Sequence, residues 1–543
     1  MPVFPKMNYL ILSLLWILIT IVVNPIGNFP LNDDWAYSKD VFVLANQGHL
    51  EFVNWSAMTL VSQILLGSFV CKLFGFSFTL LRILTLIIGL IGVLTTYKIL
   101  KDININERLA LFSCILIIAN PLFFSLSNTF MTDVYFFTFS VLSIFFFNRS
   151  FNSDFKQQII FASIFAIIAT LIRQIGIVIP ISFAIVCFYK SNSINKSVVL
   201  KAFLPFILTC ISLFLYNYWM STTHKNLTNY FSFETLFSNI GTKTFTYFFY
   251  RVGITGMTLG LFLFPLLILS LPYQSAKFFS KENRLSLIFT VLFTTSLVNA
   301  WAKFPLGNIF FNLGLGPKLL KDAYLLHINN SPVLNNLALN LVRVFGFTGG
   351  ILLFHSFFSF LFKINQNFKK RYNLKVQKFK LFSLIIIMLF FVTFIIPDFF
   401  YDRYLIQLTF LFIILILPDN LRFDFKKKIS VPAILSVFLL LLFSVGATHD
   451  YLSWNRARWK GLQYLMTDLK KSPHEIDGGF EFNGWYQTAP EQWGKSKSWW
   501  FVDGDDYILA FGILPGYQTV KSFPYKQYIP FENRNIYILQ KIP

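Results

Sequence analysis

The chain has 543 residues, of which 55% are hydrophobic, 19% aromatic and only 13% charged, with a mean hydropathy of +0.60. A soluble domain this apolar would expose large greasy patches, so the composition points to an integral membrane protein. The formal net charge of +21 does not indicate a nucleic-acid partner. The basic residues gather in short loops between apolar runs, as in KINQNFKKRYNLKVQKFK over 363–380, where positive charge holds loops in the cytoplasm.

Apolar runs able to cross a bilayer as helices lie at 8–26, 76–98, 108–125, 132–148, 157–173, 175–190, 200–219, 245–271, 285–301, 338–362, 381–397, 403–418 and 429–447, about thirteen spans in all. The first is read as a retained span, because no A-x-A-like cleavage site follows it. A further run, Ala57–Gly75, is apolar too. Placed along the outer interface rather than across the membrane, it leaves the basic loops 98–108, 190–201, 273–284, 363–380 and 419–428 on one side, as the positive-inside rule requires. The segments facing away from the cytoplasm are then 27–75, the turns near 126–131 and 173–175, 220–244, 302–337, 398–403 and everything after Thr448. The last stretch changes character. HDYLSWNRARWKGLQYLMTDLKKS reads as an amphipathic helix, and IDGGFEFNGW, DGDDYILAFGIL and NIYILQKI read as short strands. The expected architecture is an all-α polytopic membrane unit over 1–447 and a small extracytoplasmic α+β domain over 448–543. The four cysteines lie in or beside apolar runs, as small core residues do.

The stretch LNDDWAYSKD, Leu31–Asp40, places two adjacent acids just outside the first span. On a helix over 33–48, Asp33, Tyr37 and Asp40 share one face. Trp35 and Phe42 form an apolar stripe suited to the interface, and Asn32 is placed to cap the helix start. The acids could simply stabilise a helix N-terminus. They could also serve catalysis, since a carboxylate at an interface can take the proton of an attacking hydroxyl. Asp133 opens another span on the same side, after Thr132, where it could instead cap. Asp402, Arg403 and Arg173 also sit at outer span ends, where charged groups line polar cavities more readily than they face lipid.

The order of first span, outer D-[DE]-x-x-Y, interfacial helix ending in KLFG and then LLRILTLIIG resembles the family 39-type polyprenyl-phosphate glycosyltransferases of the GT-C fold. These include the protein O-mannosyltransferases and the lipid A aminoarabinose transferases. Asp133 in a T-D-x-x-x-x-F context, IATLIRQIGIVIP over Ile168–Pro180 and YDRYLIQL over Tyr401–Leu408 extend the match in chain order. The resemblance implies about thirteen spans with a C-terminal outer domain. It implies that Asp33 is the catalytic aspartate, Asp34 its neighbouring acid and Asp133 the second-loop acid of the site. Arg403 is then a candidate cation for the lipid-linked phosphate or, equally, a juxtamembrane arginine snorkelling to headgroups. Arg173 and Arg82 are further candidates, and Tyr37, Asp402 and Tyr404 are neighbours expected to line the sugar or phosphate. Where the aminoarabinose transferases carry a Lys-Pro-Pro-type motif, this chain reads Asn54-Trp55-Ser56-Ala57, and Ala36 replaces an expected arginine. Lys303, Lys318 or Lys321 could supply the missing phosphate contact.

The reaction implied is inverting transfer of a sugar from an undecaprenyl- or dolichyl-phosphate donor to an acceptor hydroxyl on a protein, lipid or glycan, at the outer face of the cell's inner membrane. Asp33, Asp34 and Asp133 together could hold a divalent cation, but no histidine or spaced acidic cluster asks for one; no metal or other cofactor is expected. DGDD over 503–506 reads as a tight turn rather than a calcium loop. Trp485, Trp493, Trp499 and Trp500 suit either sugar stacking or a small core. Two rival readings use the same topology. A lipid-linked polysaccharide polymerase or ligase would put its key residues in 302–337. A lipid-linked sugar transporter would put ionisable residues in mid-span, where the sequence has almost none.

Overall fold

The computed structural model describes residues 4–53, 55–56, 58–151, 156–189, 196–223, 245–275, 281–326, 331–369, 374–395, 400–417, 428–487 and 500–543. Its first part is a bundle of α1 (Phe4–Val23), α4 (Phe78–Asp102), α5 (Glu107–Ile118), α6 (Pro121–Ser127), α7 (Thr132–Ser150), α8 (Lys156–Thr170), α9 (Val178–Tyr189), α10 (Lys196–Thr223), α11 (Phe245–Ser275), α12 (Lys281–Ala300), α13 (Asn336–Lys369), α14 (Leu374–Ile395), α15 (Ile406–Ile416) and α16 (Ser430–Gln463), with α2 (Asp34–Gln47) and α3 (Val61–Phe74) between α1 and α4. Every run read as a span carries a helix. Six helices among the described residues are long and apolar enough to cross a membrane unaided, and α5 with α6, bent by 64°, would make a seventh. The bend falls where Asn120 accepts from the Leu122 amide and Pro121 opens the new helix, a combination that ends one helix and starts another. The protein is a multi-pass membrane protein.

Apolar side chains point outward as well as inward. Leu14, Leu18 and Ile21 of α1, and Leu435, Phe438, Leu439 and Leu442 of α16, are all more than half exposed, which is the surface lipid covers. The run Ala57–Gly75 forms α3, whose 14 residues span only about 21 Å, short of a hydrocarbon core of roughly 30 Å. One face, with Gln63, Ile64 and Ser68, is buried, while Leu65, Phe69 and Leu73 are exposed. This is the pattern of a helix lying along an apolar boundary. Its first turn is tied to the loop after α8, because the amides of Leu60 and Ser62 donate to the carbonyls of Ile172 and Leu171.

The C-terminal part departs from expectation in three ways. The last span and the amphipathic helix are one continuous helix, α16, so no break in structure falls at 447–448. Of IDGGFEFNGW, only Ile476–Asp477 (β1) is strand, and Phe480–Gln487 is a helix (α17) that buries Phe480, Phe482 and Asn483. The strongest hairpin arm, Tyr517–Tyr528 (β3), alternates too little for its period to be read, with most of its residues exposed. With β2 (Tyr507–Ala510) and β4 (Phe531–Lys541) it completes a sheet in the order β1-β2-β4-β3, β1 and β2 parallel and the rest antiparallel.

Candidate active site

The expected acids lie where α2 begins. Asp33 takes the N-cap position of α2 with no side-chain cap bond, so its carboxylate is available elsewhere. One oxygen accepts from Arg403 Nη1 at 2.9 Å and the other from Trp55 Nε1 at 3.0 Å. These partners come from three distant segments: the start of α2, the stretch before α3 and the single 3-10 turn Asp402–Leu405 that opens α15. A second ion pair stands beside the first. Asp133, in the first turn of α7, binds Arg173 Nη2 at 2.8 Å, while Arg173 Nε donates to Thr132 Oγ1 at 2.8 Å. The Arg173 guanidinium lies 5.4 Å from the Tyr404 ring centroid, and that of Arg403 lies 5.0 Å from Tyr401, distances at which cation and ring attract.

Tyr37 is buried on α2 within electrostatic reach of both pairs. Burial raises its phenol well above the usual value, and Asp33 and Asp133 add to the rise while Arg403 and Arg173 oppose it. Two atoms of the cluster have unused capacity. Among the described residues, Arg403 Nε and Asp133 Oδ2 are buried without a hydrogen-bond partner, a state that costs about 1–3 kcal/mol each unless another molecule meets them.

Other expected residues are occupied in holding the frame. Asp34 turns away from Asp33 and accepts from the amides of Leu31 and Phe130, tying the start of α2 to the loop before α7. Asp402 accepts from the amides of Ile309, Phe310 and Arg403 at 3.3, 2.9 and 2.8 Å, which fixes the turn that aims Arg403. Burial still lifts its carboxyl to about 6, against those three amides and Arg403. Arg82 is buried in α4 and donates to the carbonyls of Pro25, Gly27 and Phe29 at 2.6, 3.0 and 2.9 Å, fastening the chain that leads out of α1. Lys303 and Lys318 rest on the rings of Tyr250 and Phe311, and Lys321 pairs with Asp505 at 2.6 Å.

Three details differ from the sequence reading. Asn32 does not cap α2. It adopts a left-handed backbone with φ of +56°, and its side chain accepts from Asn312 Nδ2 at 2.6 Å. Trp35 does not lie on an interface. It is wholly buried, packed edge-on against Phe480 and Phe501, because the C-terminal domain folds back over α2. Asp40 shares the helix but not the site, accepting instead from the Val53 amide at 2.8 Å.

Sequence reasoning missed Trp55, whose indole holds Asp33. It also missed Glu481 and Arg458. Glu481 accepts from the Asn32 amide at 3.0 Å and from Arg458 Nη1 at 2.8 Å, with both side chains wholly buried. A carboxylate in FEFNGW read as strand gave no sign of this. The pairing of RARWK with it was not legible, although an arginine amid aromatics just past a span is a signal in hindsight. Trp485 and Trp500 pack on aromatic neighbours, Trp485 on Phe76 and Phe78 and Trp500 on Phe480. Trp493, Trp499, Asn54 and Ala57 lie outside the described residues. In DGDD, Asp503 pairs with His474 and Asp505 with Lys321 and Lys541. Among the described residues no three His, Cys, Asp or Glu side chains converge on one point.

Residues 63–219 match the model of the family described as dolichyl-phosphate-mannose-protein mannosyltransferase. The resemblance read from the motifs stands. The matched stretch holds Arg82, Asp133 and Arg173, and the fold adds Asp33 from before it and Arg403 from far beyond it. No curated protein sequence matches the chain significantly. Among solved structures, the chain is similar to ArnT from Cupriavidus metallidurans bound to undecaprenyl phosphate, with a TM-score of 0.44 and 10% identity over 98% of this chain and 97% of that one. It is also similar to the archaeal oligosaccharyltransferase AglB from Archaeoglobus fulgidus, in complex with an inhibitory peptide and a dolichol-phosphate. There the TM-score is 0.41 and the identity 15%, over 88% of this chain and 59% of that one.

Proposed function

We propose that this protein is a membrane glycosyltransferase that moves a sugar from a polyprenyl-phosphate donor to an acceptor hydroxyl at the outer, extracytoplasmic face, with inversion. The observation that carries this reading is the convergence of Asp33 with Arg403 at 2.9 Å, across 370 positions of sequence, beside Asp133 and Arg173. The family match adds a donor of the dolichyl-phosphate-sugar class.

In this reading the acceptor hydroxyl meets Asp33, whose two oxygens each keep a lone pair beyond the bonds to Arg403 and Trp55. As the hydroxyl oxygen bonds to the anomeric carbon, its proton passes to Asp33. The bond from that carbon to the phosphate oxygen breaks on the opposite face, and its electron pair leaves with the lipid phosphate. The departing charge needs preorganised cations. Arg403 answers through its unpartnered Nε, and Arg173 from the neighbouring pair. Arginine suits the role because its fork stays charged and can bind two phosphate oxygens at once. Asp34, Asp402 and Arg82 position the segments, and Tyr37 and Tyr404 line the site. The step calls on no metal or other cofactor. The helical bundle through the lipid-facing part of α16 forms the transferase unit, and the C-terminal part that α16 enters without a break forms an extracytoplasmic domain that covers α2. The acceptor is a protein, lipid or glycan hydroxyl.

The test is release of free polyprenyl phosphate by purified protein, given lipid-linked sugars and extracted envelope material. Release should depend on acceptor, fail with nucleotide sugars, and fall by roughly 10²–10⁴-fold in Asp33→Asn, the range of a lost general base. Arg403→Lys should also fall, since one ammonium cannot hold Asp33 and a phosphate as a guanidinium does. Equal release by the wild type and Asp33→Asn would refute the assignment.

A further inference from the structure

The β3–β4 hairpin ends in a tip that the transfer reaction does not use. Its turn, Tyr528-Ile529-Pro530-Phe531, carries an apolar surface into solvent: Phe531 is 82% exposed and Tyr528 41%, and their rings stack at 6.3 Å. The tip does not hang loose. Asp450 of α16 accepts from the amides of Tyr528 and Ile529 at 2.7 and 2.8 Å, and the Tyr528 ring lies flat on His449 at 3.7 Å. Ile529 packs so closely on Gly446 that a Cβ there would stand 2.6 Å from its Cδ1.

These contacts fix the height of the tip on α16. The lipid-facing residues of that helix, Leu435, Phe438, Leu439 and Leu442, are all more than half exposed. Gly446 lies one turn, about 6 Å, beyond Leu442. One α-turn therefore separates the lipid-facing surface of α16 from a buttressed apolar knob. At the same end, Arg456 Nη1 donates to the carbonyl of Asn24, just past the end of α1, and Ile26 is 65% exposed. Lys526 is exposed on one arm of the hairpin, and Arg534, half-buried on the other, pairs with Glu532 at 2.8 Å. An aromatic tip beside an exposed lysine is a composition that seats in the headgroup layer, rings at the acyl boundary and the ammonium at the phosphates.

We propose that the tip of this hairpin is a membrane anchor. Tyr528 and Phe531 enter the lipid interface beside α16 and brace the C-terminal domain against the bilayer. The occupant of the surface is phospholipid, because the tip continues the lipid-covered face of the helix to which it is pinned. The inference stands whether or not the protein transfers sugar.

The test uses the full chain in a phosphatidylethanolamine–phosphatidylglycerol bilayer, with a benzophenone amino acid replacing Phe531. Replacement of so exposed a side chain leaves the fold intact, and a second probe at Tyr528 repeats the measurement. A third probe replaces Gln518, which is exposed at the opposite end of the hairpin. After irradiation, mass spectrometry should find phospholipid adducts at 531 and 528 roughly fivefold above those at 518, as interfacial burial of the tip requires. Adduct yields at 531 and 528 no higher than at 518 would overturn the proposal, as would adducts to a second protein copy in place of lipid.

Discussion

Asp33 and Asp34 are neighbours in sequence but end in opposite settings. Asp33 faces Arg403 and Trp55, whereas Asp34 is sealed against Leu31 and Phe130. Burial pushes the Asp34 carboxyl up to about 8, against the pull of its two amides and of Arg82, with Glu481 adding to the rise. The consequence has a definite sign. Between about pH 4 and pH 8 the folded protein keeps a proton on Asp34 that the unfolded chain has released. The folded state is therefore favoured at low pH, and that contribution is lost as pH rises through about 8. Asp34→Asn removes the titration, so its thermal midpoint in detergent should fall less than that of the wild type between about pH 5 and pH 8.5. Parallel curves for the two proteins would show that Asp34 is ionised in the fold.

Helix contacts in the membrane part rest on glycine at particular points. On α11, a Cβ at Gly260 would stand 2.2 Å from the Gly350 nitrogen of α13, and one at Gly349 would meet the Gly260 carbonyl at 2.3 Å. Close approach of two backbones is how helices gain packing energy in lipid, where apolar burial gives none. Gly260→Leu should part α11 and α13 and lower the unfolding midpoint, with a cost of about 1–3 kcal/mol or more by overpacking. Thermal unfolding in micelles reads the effect, and an unchanged midpoint would show that the helices do not meet there. The same device joins the domains, because a Cβ at Gly484 of α17 would lie 2.5 Å from the Trp35 ring of α2.

At the scale of the whole molecule, the C-terminal domain is part of the site's frame. Glu481 accepts from both Arg458 and the amide of Asn32, the residue before Asp33. The Asn32 side chain in turn binds Asn312 from the loop over 302–337. That loop is itself tied to the C-terminal sheet, since Asp322 accepts from the Phe511 amide at 2.8 Å. Glu481→Ala leaves Arg458 buried and uncompensated, a loss of about 3–5 kcal/mol. Replacing both, Glu481→Leu with Arg458→Met, should recover most of that stability, as apolar isosteres of buried pairs often do. Transfer should stay impaired in the double variant, because Asn32 has lost the acceptor that sets its left-handed backbone. Calorimetry and polyprenyl-phosphate release, measured on the same preparations, separate the two effects. Full activity in the stable double variant would reduce the pair to a structural tie.

The sequence by itself determined the features that local rules govern. Runs of apolar residues specify helices in lipid because only internal hydrogen bonding satisfies the backbone there, and each such run is a helix. The acids and arginines at span ends stood out because charge is rare in this chain, and Asp33 does meet Arg403, as Asp133 meets Arg173 beside Tyr404. Local rules failed where long-range contact outweighs them. Trp35 looked interfacial until a domain some 450 positions later covered it, FEFNGW became helix because that face packs on α2, and Asn32 surrendered its cap to Glu481 and Asn312. Which of two adjacent aspartates faces the arginine was decided by tertiary structure alone. The reason is physical: a hydrogen bond across 370 residues leaves no period, spacing or composition in either segment that makes it.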